Sequence, residues 1–91
     1  MKAQLINHDG ETLEVEPING EDFKLAELQG MVNGNIEIVY LNDNIIMVIN
    51  EEGKLLNLPI NHTATCLYQM CRGIKDVIVG DVLLCRNNQV L

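Results

Sequence analysis

The stretch LNLPINHTATCLYQMC, residues 56–71, sets one histidine and two cysteines within ten positions. Those residue types serve as metal ligands or as a thiol nucleophile with its base. His62 and Cys66 are four apart, so a helix would put them on one face. Cys71 falls on the next turn facing elsewhere, and Cys85 lies far along the chain. Zinc sites normally take four ligands, often in Cys-x-x-Cys pairs, and no such pair exists here. A reactive thiol needs a base held in place by a third group, and none is visible beside His62. The plainer reading is that Asn61 or Thr63 caps a helix, His62 sits in its first turn, and the cysteines act as small core residues. No metal and no cofactor is expected.

Other candidates are weaker. His8 lies beside Asp9-Gly10, a tight-turn signal that predicts exposure. The phosphate-loop motif and the Gly-x-Gly-x-x-Gly fingerprint are both absent. GMVNGN has two glycines but follows a predicted helix rather than opening one. No catalytic residue is assigned, and the chain is not expected to be an enzyme.

The elements that must carry these residues are legible as a string. Residues 2–8 and 11–16 read as two strands around Asp9-Gly10, with Leu13 and Val15 alternating against Thr12, Glu14 and Glu16. Asn19 then predicts a helix cap, with Asp22 as its capping-box partner and Ile18 and Phe23 as a hydrophobic staple. Gly30 or Gly34 would end that helix. Residues 35–41 form a strand by composition. Residues 45–50, IIMVIN, are apolar on both faces, as a central strand is. EEGK predicts a tight turn into a further strand, LLNL, stopped by Pro59. A second helix spans about 62–72, closed by Gly73, with Ala64, Leu67, Tyr68 and Cys71 as its buried stripe. DVIVGDVLLCR is a late strand interrupted at Gly80-Asp81, and NNQVL a short edge strand. The fold class is therefore α+β: a mainly antiparallel sheet of five to six strands with two helices, order ββαβββαβ(β), in a single domain over residues 1–91. An open helix–sheet sandwich and a barrel-like sheet both fit that string.

The totals narrow the function. Six basic residues against thirteen acidic ones leave a net charge of −7, the wrong sign for a phosphate-binding surface. Phe23, Tyr40 and Tyr68 are the only aromatics, too few for a base-stacking platform. Direct nucleic-acid binding is disfavoured on both grounds, and none is expected. No apolar run approaches the ~18 residues of a membrane span, and the start lacks a signal-peptide core. A cytoplasmic protein with reduced thiols is expected.

The run GNIEIVYLNDNIIMVINEEGKLLNLPINHTAT, followed after a gap by DVIVGDVLLC, resembles a family of small phage and bacterial proteins, domain of unknown function 3846. The likeness rests on Gly34, Glu51 to Leu55, Leu58, Pro59, Asn61, Ala64, Thr65, Ile78, Gly80 and Asp81, and the opening MKAQLI also fits. It implies a phage- or prophage-type origin, hence the host cytoplasm, and a small stand-alone domain. It implies no known activity. Where more basic residues are expected after Asn61, this chain has His62-Thr63.

If the chain holds a ligand, the expected contacts are Pro59, Asn61, Thr65, Gly80 and Asp81. Asn61 and Thr65 stand at a helix start, where free N–H groups hold anions. Gly80 permits close backbone approach. Capping and turn roles explain the same residues equally well. The leading expectation is a non-enzymatic protein-interaction module whose partner is a host or phage protein, with homo-oligomerisation as a further form of contact. The alternatives are a small-ligand or nucleotide-sequestering protein, and an acidic DNA mimic built on Glu11, Glu14, Glu16, Glu21 and Asp22.

Overall fold

The structure, a computed structural model, describes residues 2–90. Its elements are β1 (Ala3–Ile6), β2 (Thr12–Val15), α1 (Leu25–Val32), β3 (Ile36–Tyr40), β4 (Ile45–Asn50), α2 (His62–Arg72) and β5 (Val82–Arg86). The five strands form one sheet in the order β2-β1-β5-β4-β3, and every neighbouring pair is antiparallel. This is the expected α+β class, as an open sheet with β2 and β3 at its two edges.

Both faces of the sheet are covered, because strand side chains alternate. Ile46, Val48, Leu83 and Cys85 point to one face, where they pack with Ala3 and with Phe23, Leu28 and Val32 at and before α1. Met47 and Val82 point to the other, with Ile6, Ala64 of α2 and Ile78. The apolar composition of IIMVIN follows directly: β4 is central and buried on both sides. The last strand, β5, is inserted between β1 and β4, which joins the two hairpins into one sheet.

Helix α2 matches its expected limits, since both boundary signals act locally. The Asn61 side chain accepts from the Ala64 N–H at 3.0 Å, and Gly73 closes the helix at φ 65. Helix α1 is shorter than expected. Asn19 does not cap it: its Oδ1 accepts from the N–H groups of Glu21 and Asp22, folding a separate turn. The helix begins after Lys24, whose N–H donates to Glu27 at 2.7 Å. The second Glu27 oxygen holds the N–H of Ile18. Ile18 itself is exposed, so the expected staple with Phe23 does not form. Asn33, at φ 63, ends the helix.

Two expected strands take other forms. Residues 51–57 make a continuous turn, with Asn57 at φ 54, and LLNL is not a strand. The reason is topological. Strand β4 already has β3 on one side and β5 on the other, so the chain leaving it cannot form a hairpin directly against β4. It crosses instead to the α2 face, and its extended character survives only in the bridge between Ile60 and Val79. Asn87–Gln89 form a 3-10 turn rather than an edge strand; the end of the expected tail, Leu91, lies outside the described residues.

Candidate functional site

Pro59, Asn61, Thr65, Gly80 and Asp81 come together where β1 ends, α2 starts and β5 begins. Asn61 is wholly buried. Its Nδ2 donates to the carbonyls of Ile6 and Gly80, both at 2.9 Å, while its Oδ1 caps α2. Its main-chain N–H donates to Ile78 at 2.8 Å. Thr65 Oγ1 accepts from the N–H of Ile78 at 2.8 Å and donates to the same residue's carbonyl at 3.2 Å. The Gly80 N–H donates to the Pro59 carbonyl at 2.8 Å, and Gly80 sits at φ 78 with Leu58 so close that an added Cβ would meet its Cδ1 at 2.9 Å. Asp81 Oδ1 accepts from the His8 N–H at 2.9 Å and lies 3.0 Å from His8 Nδ1. The five residues thus bind three chain segments to one another through main-chain groups.

The sulfur-bearing residues do not converge. Cys85 is buried in the sheet and its thiol is pushed up to about 11 by burial. Cys66 and Cys71 are exposed, against the expectation that all three cysteines pack in the core. Helix α2 packs on the sheet through Ala64, Leu67 and Tyr68, and Cys66 and Cys71 fall outside that stripe. Cys66 Sγ lies 3.6 Å from Met70 Sδ one turn on. Among the described residues, no three His, Cys, Asp or Glu side chains are arranged to hold a metal ion.

Beside α2 lies a cleft of about 190 Å³. Val39 of β3, Ile49 of β4 and Tyr68 of α2 line it, and it runs between the turn at Leu55 and the segment at Val77. Leu55 is 84% exposed at this cleft of mixed polar and apolar lining. Gly53 allows this arrangement: it is buried, and a Cβ there would stand 2.8 Å from Val79 Cγ2. The rim is charged. Lys54 and Asp76 pair across it at 2.6 Å, and that hydrogen bond, with the Val77 N–H, lowers the Asp76 pKa. Glu37 and Glu51 also line the cleft and have no salt-bridge partner among the described residues.

The sequence pattern pointed to these residues for other reasons. Leu55 was hidden in an expected strand, and Tyr68 in the buried stripe of α2. The available signal was the Leu55-Leu56 pair directly after the Glu51-Glu52-Gly53-Lys54 turn, since two adjacent leucines in a charged turn cannot both face a core. Asn50 was missed as well. It is buried, donates to the Val32 carbonyl at 3.0 Å and accepts from the Glu52 N–H at 2.8 Å, so it ties the end of α1 to the start of the turn. The carboxylates of the acidic group are spread along the opposite edge: Glu11, Glu14 and Glu16 are exposed on and beside β2, and Glu14 lies 3.7 Å from Lys2. Asp22 is held by Asn19 and by Lys24, which lower its pKa in that order.

A sheet of this order with a buried Asn61 knot spans the whole described chain, and so does its family likeness. The model of the family described as Domain of unknown function (DUF3846) matches residues 1–89, and the chain belongs to that family. No curated protein and no solved structure matches it.

Proposed function

We propose that this chain is a non-enzymatic protein-interaction module, and that the cleft between Leu55 and Val77 receives an apolar side chain of a partner protein. The observation that carries this reading is Leu55, held out in solvent at the mouth of a cleft floored by Val39, Ile49 and Tyr68, by a turn that Gly53 and Asn50 fix in place. Exposed leucines gathered at a lined cleft mark contact surfaces. A volume of about 190 Å³ suits one side chain and falls below the ~300–1,000 Å³ of small-molecule pockets. That weighs against a nucleotide-sequestering role.

The rim sets the partner's chemistry. Lys54 is neutralised by Asp76, leaving Glu37 and Glu51 to face the occupant, on a chain of net charge −7. An apolar residue flanked by Lys or Arg is the complementary segment. A phage-type setting, as the family resemblance implies, makes a host or phage protein its source, met in the cytoplasm. Pro59, Asn61, Thr65, Gly80 and Asp81 serve this module as its frame rather than its contact surface: the bonding capacity of Asn61 and Thr65 is directed at the chain itself.

The test is selection from a random peptide library on the intact protein. The expected result is enrichment of peptides with one apolar residue between basic ones, whose binding is lost in Leu55→Glu and weakened by salt. Enrichment of acidic peptides, or binding unchanged in Leu55→Glu, would refute it.

A further inference from the structure

The β3 edge offers a second surface, independent of the cleft. The direction of its main-chain groups follows from two contacts. The Glu51 N–H donates to the Asn35 carbonyl at 2.9 Å, and the Leu41 N–H to the Ile45 carbonyl at 3.0 Å. Both lie in the register that pairs Ile36 with Asn50 and Tyr40 with Ile46. In an antiparallel ladder, pairs that exchange hydrogen bonds alternate with pairs that do not. Glu37 and Val39 therefore bond to β4. Ile36, Ile38 and Tyr40 turn their N–H and carbonyl groups outward, to the open edge. Among the described residues, the contact made to these outward groups is from Arg72, whose Nη1 donates to the Tyr40 carbonyl at 2.6 Å. Their side chains share one face: Ile38 is 36% and Tyr40 54% exposed, and Ile36 and Ile38 line an apolar groove with Phe23, Leu25 and Leu28.

Edges of this kind are normally blunted by charge, proline or a bulge. The β2 edge is flanked by Glu11, Glu14 and Glu16, whereas Glu37 is the only charge within β3.

We infer that β3 pairs with β3 of a second copy of this chain, antiparallel and centred on Ile38, to make a symmetric dimer with a continuous sheet. The sequence of the strand is complementary to itself in that register. Ile38 meets Ile38 and exchanges both main-chain bonds with it. Ile36 meets Tyr40 of the other copy: the Tyr40 N–H donates to the Ile36 carbonyl, and the Ile36 N–H donates to the Tyr40 carbonyl in competition with Arg72, whose exposed side chain swings aside. Tyr40 of each copy is thereby brought beside the groove at Leu25 of the other. On the opposite face, Glu37 stands across from Val39, so no like charges oppose one another. Shifting the centre by one residue to Glu37 would place the two carboxylates face to face, which is unfavourable. A twofold axis of this kind is the commonest symmetry of soluble oligomers. Because each chain carries −7, the dimer tightens as salt screens the repulsion.

Sedimentation velocity of the intact protein over a concentration series tests this. The expected result is a monomer–dimer equilibrium, favoured by added salt, whose dissociation constant rises at least about tenfold in Ile38→Lys, where two like charges meet at the axis. Because Ile38 also lines the groove with Phe23 and Leu28, folding of the variant is checked by thermal unfolding. A second readout places Ile38→Cys in a chain carrying Cys66→Ser and Cys71→Ser; oxidation should yield a disulfide-linked dimer, whereas Leu13→Cys on the β2 edge should not. A protein monomeric at every concentration and salt would overturn the inference. So would a dimer unaffected by Ile38→Lys, or equal cross-linking at Leu13.

Discussion

Asn61 joins three parts of the chain through one buried side chain. It caps α2 and also holds the carbonyls of Ile6 and Gly80. Asn61→Ala removes the cap and leaves buried carbonyls unpaired, for an expected loss of about 3 kcal/mol in urea unfolding. Thr65→Val breaks only the local exchange with Ile78 and should cost about 1 kcal/mol. Gly80→Ala meets both a φ of 78 and the Leu58 side chain, for about 2 kcal/mol. The cap was legible in the sequence because it lies within four residues. The grip on Ile6 was not, since residues 55 positions apart leave no mark in a local pattern. The cysteines show the same division. Burial raises the Cys85 thiol to about 11 from 9.0. A raised folded-state pKa contributes stability that is full below pH 9 and declines as pH climbs toward 11. In native protein, a thiol reagent should modify Cys66 and Cys71 and spare Cys85 until unfolding; equal reaction at all three would contradict its placement.

At the scale of elements, the parts set by neighbouring residues were legible and those set by partners were not. Helix α2 has its cap and its terminating glycine in place, and its span was read correctly. Helix α1 began late because Asn19 found closer donors in Glu21 and Asp22, the competition that makes asparagine a turn former as well as a cap. LLNL follows a turn signal and is stopped by Pro59, as a strand would be, yet no sheet edge was free beside β4. The turn that replaces it hangs on Asn50, whose side chain joins α1 to the Glu52 N–H. Asn50→Leu should therefore loosen both ends at once. Amide exchange at Glu52 and at the C-terminal turn of α1 should quicken together, and quickening at one alone would show that the two are not tied.

The whole molecule is a five-stranded sheet with a helix on each face, and its order could not be read along the chain: β5, last in sequence, stands third in space. That insertion brings Val77 and Val79 alongside the turn at Leu55 and so creates the cleft. Acid should open that rim only below the ordinary carboxylate range. Asp76 has its pKa lowered by Lys54, so the link across the rim is present above the ordinary carboxylate range and lost as pH falls below it. The most direct measurement of the central claim is chemical-shift mapping of the labelled protein against a basic-flanked apolar peptide from the library. Shifts should concentrate at Val39, Leu55, Tyr68 and Val77 and vanish in Leu55→Glu. Shifts centred on Glu11–Glu16, or on Asn61 and Asp81, would contradict it.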